Sequence, residues 1–109
     1  MLARPGLTGP ELRAALTTAA EAWLRERLAP LGRHATVTDV RGVGMLWAIE
    51  FVDALRANRI VRAGLQRGLI LLQSGVDGTS ITLAPPLTIE DDQLERAIAL
   101  LEGTIEEIP

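Results

Sequence analysis

Two periods of apolar and polar residues alternate along this chain, and the places where one gives way to the other mark its elements. Leu12, Leu16, Ala19, Ala20, Trp23 and Leu24 recur at helical spacing, with Arg13, Glu21, Arg25 and Glu26 between them. This predicts an amphipathic helix ending near Leu28. Thr8-Gly9-Pro10-Glu11 has the form of a capping box with an early proline, and Pro30 and Gly32 stop the helix. Met1 to Gly6 is expected to be a frayed end. The period then shortens to two. Thr36 to Val40 is rich in β-branched residues and suits a short strand. From Met45 to Phe51 the alternation is strongest, with Met45, Trp47, Ile49 and Phe51 on one face and Leu46, Ala48 and Glu50 on the other. Between these strands, Gly42 and Gly44 are expected to form a bulge or sharp reversal. They do not form a phosphate loop, because no third glycine, lysine or following helix completes that motif.

Asp53 is placed to cap a second helix from Ala54 to Arg67, lined by Ala54, Ala57, Val61, Gly64 and Leu65 with Ile60 beside them, and Gly68 suits its left-handed C-terminal cap. Leu69 to Leu72 is a continuous apolar run that predicts a buried third strand. Gln73 to Thr79 predicts a reversal and Ser80 to Leu83 a fourth strand, with Ile81 and Leu83 facing inward. Pro85 and Pro86 end the ladder because neither can donate a backbone hydrogen bond. Thr88 can cap a last helix whose first turn carries Glu90, Asp91 and Asp92, favoured by the helix dipole. Leu94, Ala97, Ile98, Leu101, Ile105 and Ile108 form its apolar face. The order is α-β-β-α-β-β-α. It predicts an α+β fold, a small, mostly antiparallel sheet of about four strands with helices packed on one face. Residues 1–109 form a single domain, long enough to bury a core without staples.

Composition removes several classes of chemistry. With no cysteine there is no disulfide, thiol nucleophile or thiolate metal site, and one histidine, His34, cannot build a multi-histidine site. A net charge of −3 with no basic block argues against a nucleic-acid partner. The chain holds no apolar run of transmembrane length and no signal-peptide pattern, so no membrane partner and a cytoplasmic location are expected. All eleven basic residues are arginine. Arginine keeps its charge and cannot serve as a neutral amine nucleophile.

Three stretches resemble one family in order and spacing. ITLAPPLTIEDDQLERAIALLE is similar to the closing motif of the class III aminotransferases, enzymes of fold type I that depend on pyridoxal phosphate. VRGVGMLWAIEF resembles that family's Arg-Gly-x-Gly-(apolar)-x-x-x-Ile-Glu stretch, and RAGLQRGLILLQSGVDG resembles the segment between them. The likeness runs from about Glu11 to Ile108 and concerns only the small C-terminal domain of a much longer enzyme. It implies a domain that closes over cofactor bound to a large domain and helps select the substrate. Pyridoxal phosphate is expected in the complete family enzyme and not in this chain alone, because the Schiff base needs a lysine that this chain lacks.

Two residues are candidates for a place near the substrate. Arg41 opens the Arg-Gly-x-Gly stretch. It either ties the reversal to nearby carbonyls or to Asp39, which is favoured, or contacts a carboxylate in a complete active site. Thr82 stands where ornithine-type members of the family carry an arginine that grips the substrate α-carboxylate. A hydroxyl cannot make that bidentate clamp. The resemblance therefore implies an ω-amino substrate or another carboxylate anchor, unless Thr82 is only a β-branched strand residue. No other residue is assigned a catalytic, cofactor-binding or metal role. Ser74, Thr79 and Ser80 lack a nearby histidine, and Glu90, Asp91 and Asp92 read as helix-terminal charges rather than metal ligands.

The leading expectation is thus the small domain of an aminotransferase that moves an amino group from an amino acid or ω-amino compound to a 2-oxo acid. It would be an excised domain or a truncated reading frame, inactive by itself. The alternative is a non-catalytic interaction or dimerisation module that pairs with a separate large-domain chain or with itself through exposed apolar surface.

Overall fold

The computed structural model describes residues 9–85 and 89–108, and only the backbone of 12–17. The elements are α1 (Gly9–Leu28), a 3-10 turn (Ala29–Arg33), β1 (Val37–Val43), β2 (Leu46–Phe51), α2 (Ala54–Gln66), β3 (Leu72–Ser74), β4 (Ser80–Leu83) and α3 (Asp91–Glu107). The α+β class and the α-β-β-α-β-β-α order hold, with the 3-10 turn added after α1. The expected cap at Thr8, the expected frayed end, the side chains of Leu12 and Leu16, and Pro86 and Thr88 lie outside the described residues. Glu90 occupies the N-cap of α3, and its backbone N–H donates to Gln93 Oε1 at 3.2 Å. Among the described residues no helix is long and apolar enough to cross a membrane.

The four strands form one sheet in the order β1-β2-β4-β3, with every neighbouring pair antiparallel. Because β2 and β3 both oppose β4, they run parallel to each other, and α2 carries the chain between them while β4 inserts in the gap. Trp47, Ile49 and Phe51 from β2 and Ile81 and Leu83 from β4 are all buried. They meet Leu24 and Leu28 of α1, Ala57 and Ile60 of α2, and Leu94, Ile98, Leu101 and Ile105 of α3 in one core.

The glycines of the first hairpin do two separate jobs. Gly44 has φ +58, and Val43 pairs with Leu46, so Gly44 and Met45 form a two-residue loop with positive φ at its first position only. That is the pattern of a II′ hairpin turn, whose twist matches the flanking strands. Gly42 lies opposite Trp47, and a Cβ placed there would sit 2.1 Å from Trp47 Cδ2. The ladder's one irregularity lies between Val37 and Asp39, so Gly42 is a site of close approach rather than a bulge. As a result β1 runs on to Val43, past the expected end at Val40. Trp47 Nε1 donates to Gly44 O at 2.9 Å, and the Gly44 N–H donates to Glu21 Oε2 of α1 at 3.0 Å. The Arg25 guanidinium lies 5.4 Å from the Trp47 ring centroid. One indole thereby joins the first helix to the sheet.

Two expectations need correction. The third strand is Leu72–Ser74, not Leu69–Leu72. Leu69 N–H donates to Gly64 O at 2.8 Å and Gly68 N–H to Leu65 O at 3.1 Å, a Schellman closure around Gly68 at φ +85 that uses Leu69 to end α2. β3 then pairs with the residues that β4 offers, Ser80 to Thr82. The apolar run reflects core packing of Leu69 and Leu71, while Ile70 and Leu72 are exposed. In α2, Leu65 is 64% exposed rather than buried. The inward face is centred on Arg56, Ala57, Ile60 and Gly64.

Arg56 is therefore a buried cation, and its place has a reason. Its Nη2 donates to Ile105 O at 3.2 Å and to Ile108 O at 2.5 Å. The last turn of α3 has no basic residue of its own, and its final carbonyls have no intrahelical partners. Arg56 supplies both a donor and a positive charge at the negative end of the dipole. Arg67 adds a second, through Thr104 Oγ1 at 3.0 Å and an ion pair with Glu107. Asp53 caps α2 as expected, accepting from Arg56 N–H at 2.7 Å.

Two outcomes follow. Gly42→Ala forces the indole out of place and should lower unfolding stability by about 1–3 kcal/mol, the usual range for overpacking, read by urea denaturation. The Gly44 N–H, the largest influence, holds the Glu21 carboxyl below its ordinary value of 4.5, Arg25 helps, and partial desolvation opposes. Its contribution is fully present above the unfolded value and is lost as pH falls through the lower folded one. The stability gap between wild type and Glu21→Ala should be constant above pH 4.5 and shrink below it. A gap that does not change with pH would contradict this.

Candidate substrate-proximal face

The helices cover one face of the sheet and leave the other open. Strand register fixes what stands on that open face, because residues opposite each other point the same way. Arg41, Ala48, Thr82 and Leu72 make one cross-sheet row. Asp39, Glu50, Ser80 and Ser74 make the next, and Val43 pairs with Leu46 beyond. Both candidate residues thus share a face and a row. They stand two strands apart, roughly 10 Å at the usual strand spacing, so they do not touch.

Arg41 is half exposed and well occupied. Its Nη1 donates to Asp39 Oδ2 at 3.0 Å and to Glu50 Oε2 at 3.3 Å, and its Nη2 reaches Ser80 Oγ at 3.5 Å. Thr79 Oγ1 donates to the other Glu50 oxygen at 3.4 Å. Of the partners expected for Arg41, Asp39 is present, and Glu50 joins it from β2. One guanidinium between two carboxylates leaves the cluster locally negative. An incoming carboxylate would have to displace one of them, although exposed ion pairs of this kind cost little to break. Thr82 lies elsewhere in the network: its Oγ1 is 2.7 Å from Ser74 Oγ. Thr82 also lines an open groove of about 470 Å³ at the β3–β4 edge of the sheet, walled by Leu72 on one side and by Leu69, Leu83 and Ala97 of α3 on the helix side. The face therefore offers a charged cluster on β1 and β2 and one hydroxyl pair on β3 and β4, with the apolar groove along its edge.

Among the described residues, no imidazole stands beside a hydroxyl of this face. His34 lies after the 3-10 turn, where its Nδ1 contacts Thr36 Oγ1 at 2.8 Å and Thr36 N at 3.3 Å, a local structural arrangement. Among the described residues, no group of three or more histidines or carboxylates could hold a metal ion. Two further grooves, of about 290 Å³ beside Trp23 and Leu94 and about 270 Å³ beside Leu31 and His34, open on the helix side, away from Arg41 and Thr82. Glu50 and Ser74 escaped the sequence reading as members of this network. Alternation gave each residue's parity within its strand, but only register shows which strands stand side by side.

The description of the family "Aminotransferase class-III" matches residues 12–105. The chain is 33% identical over 81 residues to a diaminobutyrate–2-oxoglutarate transaminase from Nocardia farcinica, covering 74% of this chain and 19% of that protein. It is 37% identical over 86 residues to an acetylornithine aminotransferase from Streptococcus mutans, covering 78% of this chain and 22% of that one. A solved lysine aminotransferase from M. tuberculosis superposes with a TM-score of 0.77 at 27% identity, over 93% of this chain and 22% of that structure. The chain thus spans about a fifth of the length of the relatives it matches.

Because the Arg41 cluster is solvated, Arg41→Met should change unfolding stability by less than about 1 kcal/mol. A loss of several kcal/mol in urea denaturation would make Arg41 a structural keystone rather than an exchangeable surface group.

Proposed function

This chain belongs to the class III aminotransferase family, and from that premise we propose that it is the small C-terminal domain of a pyridoxal-phosphate-dependent aminotransferase. The reaction would move an amino group from an amino acid or ω-amino compound to a 2-oxo acid. In this reading the open sheet face is turned toward a large domain, in the same chain or a separate one. Val43, Leu46 and Leu72, 54–66% exposed, supply the apolar contact. Arg41 and Thr82 stand near the substrate, and the hydroxyl pair with its apolar groove suits an uncharged part of the substrate better than a second carboxylate. A cytoplasmic location belongs to the same proposal.

The observation that carries the reading is the family match over 12–105 in a chain without lysine. Pyridoxal phosphate supplies the electron sink for amino transfer when an enzyme holds it through a lysine amine. The residues of this chain do not fit that anchor, so the domain is catalytically incomplete by itself and no chemical step is assigned to it. The exposed apolar side chains of the same face also support a second reading, a non-catalytic module that associates through that face.

Two measurements test the proposal. The isolated 109-residue chain, treated with pyridoxal phosphate and borohydride, should show no adduct on any internal residue and no amino transfer. The native polypeptide bearing these residues should prove several times heavier than 11.7 kDa by intact-protein mass spectrometry and should transaminate. An internal adduct, or amino transfer by the isolated chain, would overturn the assignment. A native mass of 11.7 kDa with self-association in sedimentation would establish the second reading instead.

A further inference from the structure

The proposed function uses the open face of the sheet and leaves the opposite side of the domain unexplained. There the outward surface of α2 combines two features. Its sequence, ALRANRIVRAGLQ, contains no acidic residue. Arg56 is consumed by the end of α3, but Arg59 and Arg62 are exposed and have no partner among the described residues. Arg25, Arg27, Arg41 and Arg67 are all paired with carboxylates. Arg33 and Arg96 are also exposed without a partner among the described residues, but they lie singly on other elements; the pair on α2 is bracketed by Leu55, 60% exposed, and Leu65, 64% exposed. At 3.6 residues per turn, Leu55, Arg59, Arg62 and Leu65 occupy one outward sector about 15 Å long. Val52, 54% exposed, extends its apolar end.

Single exposed leucines are ordinary, and so are single solvated arginines. Two leucines flanking two unpaired arginines on an α-helix without acidic residues, in a chain with net charge −3, make a different surface. We propose that this face of α2 docks an acidic amphipathic segment of a partner protein, its apolar side chains against Leu55 and Leu65 and its carboxylates on Arg59 and Arg62. Charge complementarity selects this occupant. An anionic bilayer is usually held by clusters of about four to eight basic residues, and here there are two on a chain that the bilayer would otherwise repel. Nucleic acid is disfavoured on the same electrostatic ground. Because α2 lies on the helix-covered side, such a partner would not compete with a large domain on the open face.

The test is a heteronuclear NMR titration of the 109-residue chain with a synthetic acidic amphipathic helix of about four turns. A scrambled peptide of the same composition and phosphatidylserine–phosphatidylcholine vesicles run in parallel. The proposal expects shifts centred on residues 54–66, weaker binding of the scramble, and no vesicle binding. It also expects the charge reversal Arg59→Glu with Arg62→Glu to raise Kd by about tenfold or more. Both arginines are exposed, so the variant should keep the wild-type amide pattern elsewhere. Leu55→Ala with Leu65→Ala should weaken binding while leaving its salt dependence unchanged. Equal binding of the scramble, shifts centred on another surface, binding to the vesicles, or no binding at all would overturn it.

Discussion

Trp47 lying against the bare backbone of Gly42 is the contact on which the rest of the domain depends. The indole can approach so closely only because residue 42 has no Cβ. That approach pins β1 to β2 in register. The indole N–H fixes the carbonyl of Gly44, and the amide of Gly44 in turn binds Glu21. Arg25, one helical turn further along α1, covers the ring. A single side chain thereby sets strand pairing, turn geometry and the position of a helix distant in sequence. Core packing of Leu24 and Leu28 then adds the bulk of the apolar burial without having to choose the register.

At the other end of the molecule the organising constraint is electrostatic. α3 begins with carboxylates at its positive pole, as the dipole prefers, but also ends with Glu106 and Glu107 at its negative pole. The missing cations come from α2 and the residue that caps it, one buried at Arg56 and one at the surface at Arg67. This ties the crossover helix to the last helix. A second cross-link, Arg27 with Glu95 and Glu102, joins α1 to α3. With arginine as the only base, each such link can reach two acceptors from one planar group.

The two faces of the sheet have different fates. The inner face is closed by helices. The outer face keeps a guanidinium held between two carboxylates, a hydroxyl pair and several exposed apolar side chains. The chain matches about a fifth of the length of its aminotransferase relatives, and exposed apolar side chains of this kind suit contact with another surface. Under the proposed function, the covalent chemistry that needs a lysine would belong to a large domain, and the open face would take a share of substrate contact.

By itself, the sequence determined what local rules control. Helices and strands followed from periods of 3.6 and 2, Asp53 and Gly68 marked the ends of α2, and the family resemblance came from three short motifs. Short-range rules failed where a residue's partner lies elsewhere. Leu69 to Leu72 looked like a strand because burial and pairing both favour apolar runs, and only the Schellman closure separated them. Leu65 looked buried because a stripe can be centred a residue or two to either side. Arg56 carries no local signal of burial, because the carbonyls it meets belong to the end of α3. Arg41 and Thr82 could be singled out by chain position, but their common row, and the claim of Glu50 on Arg41, required the register of three strands. Periodicity, caps and glycine conformations act within a few residues and are written in the chain. Which charge meets which, as between Arg27 and Glu102 seventy-five positions apart, is decided only when packing brings them together.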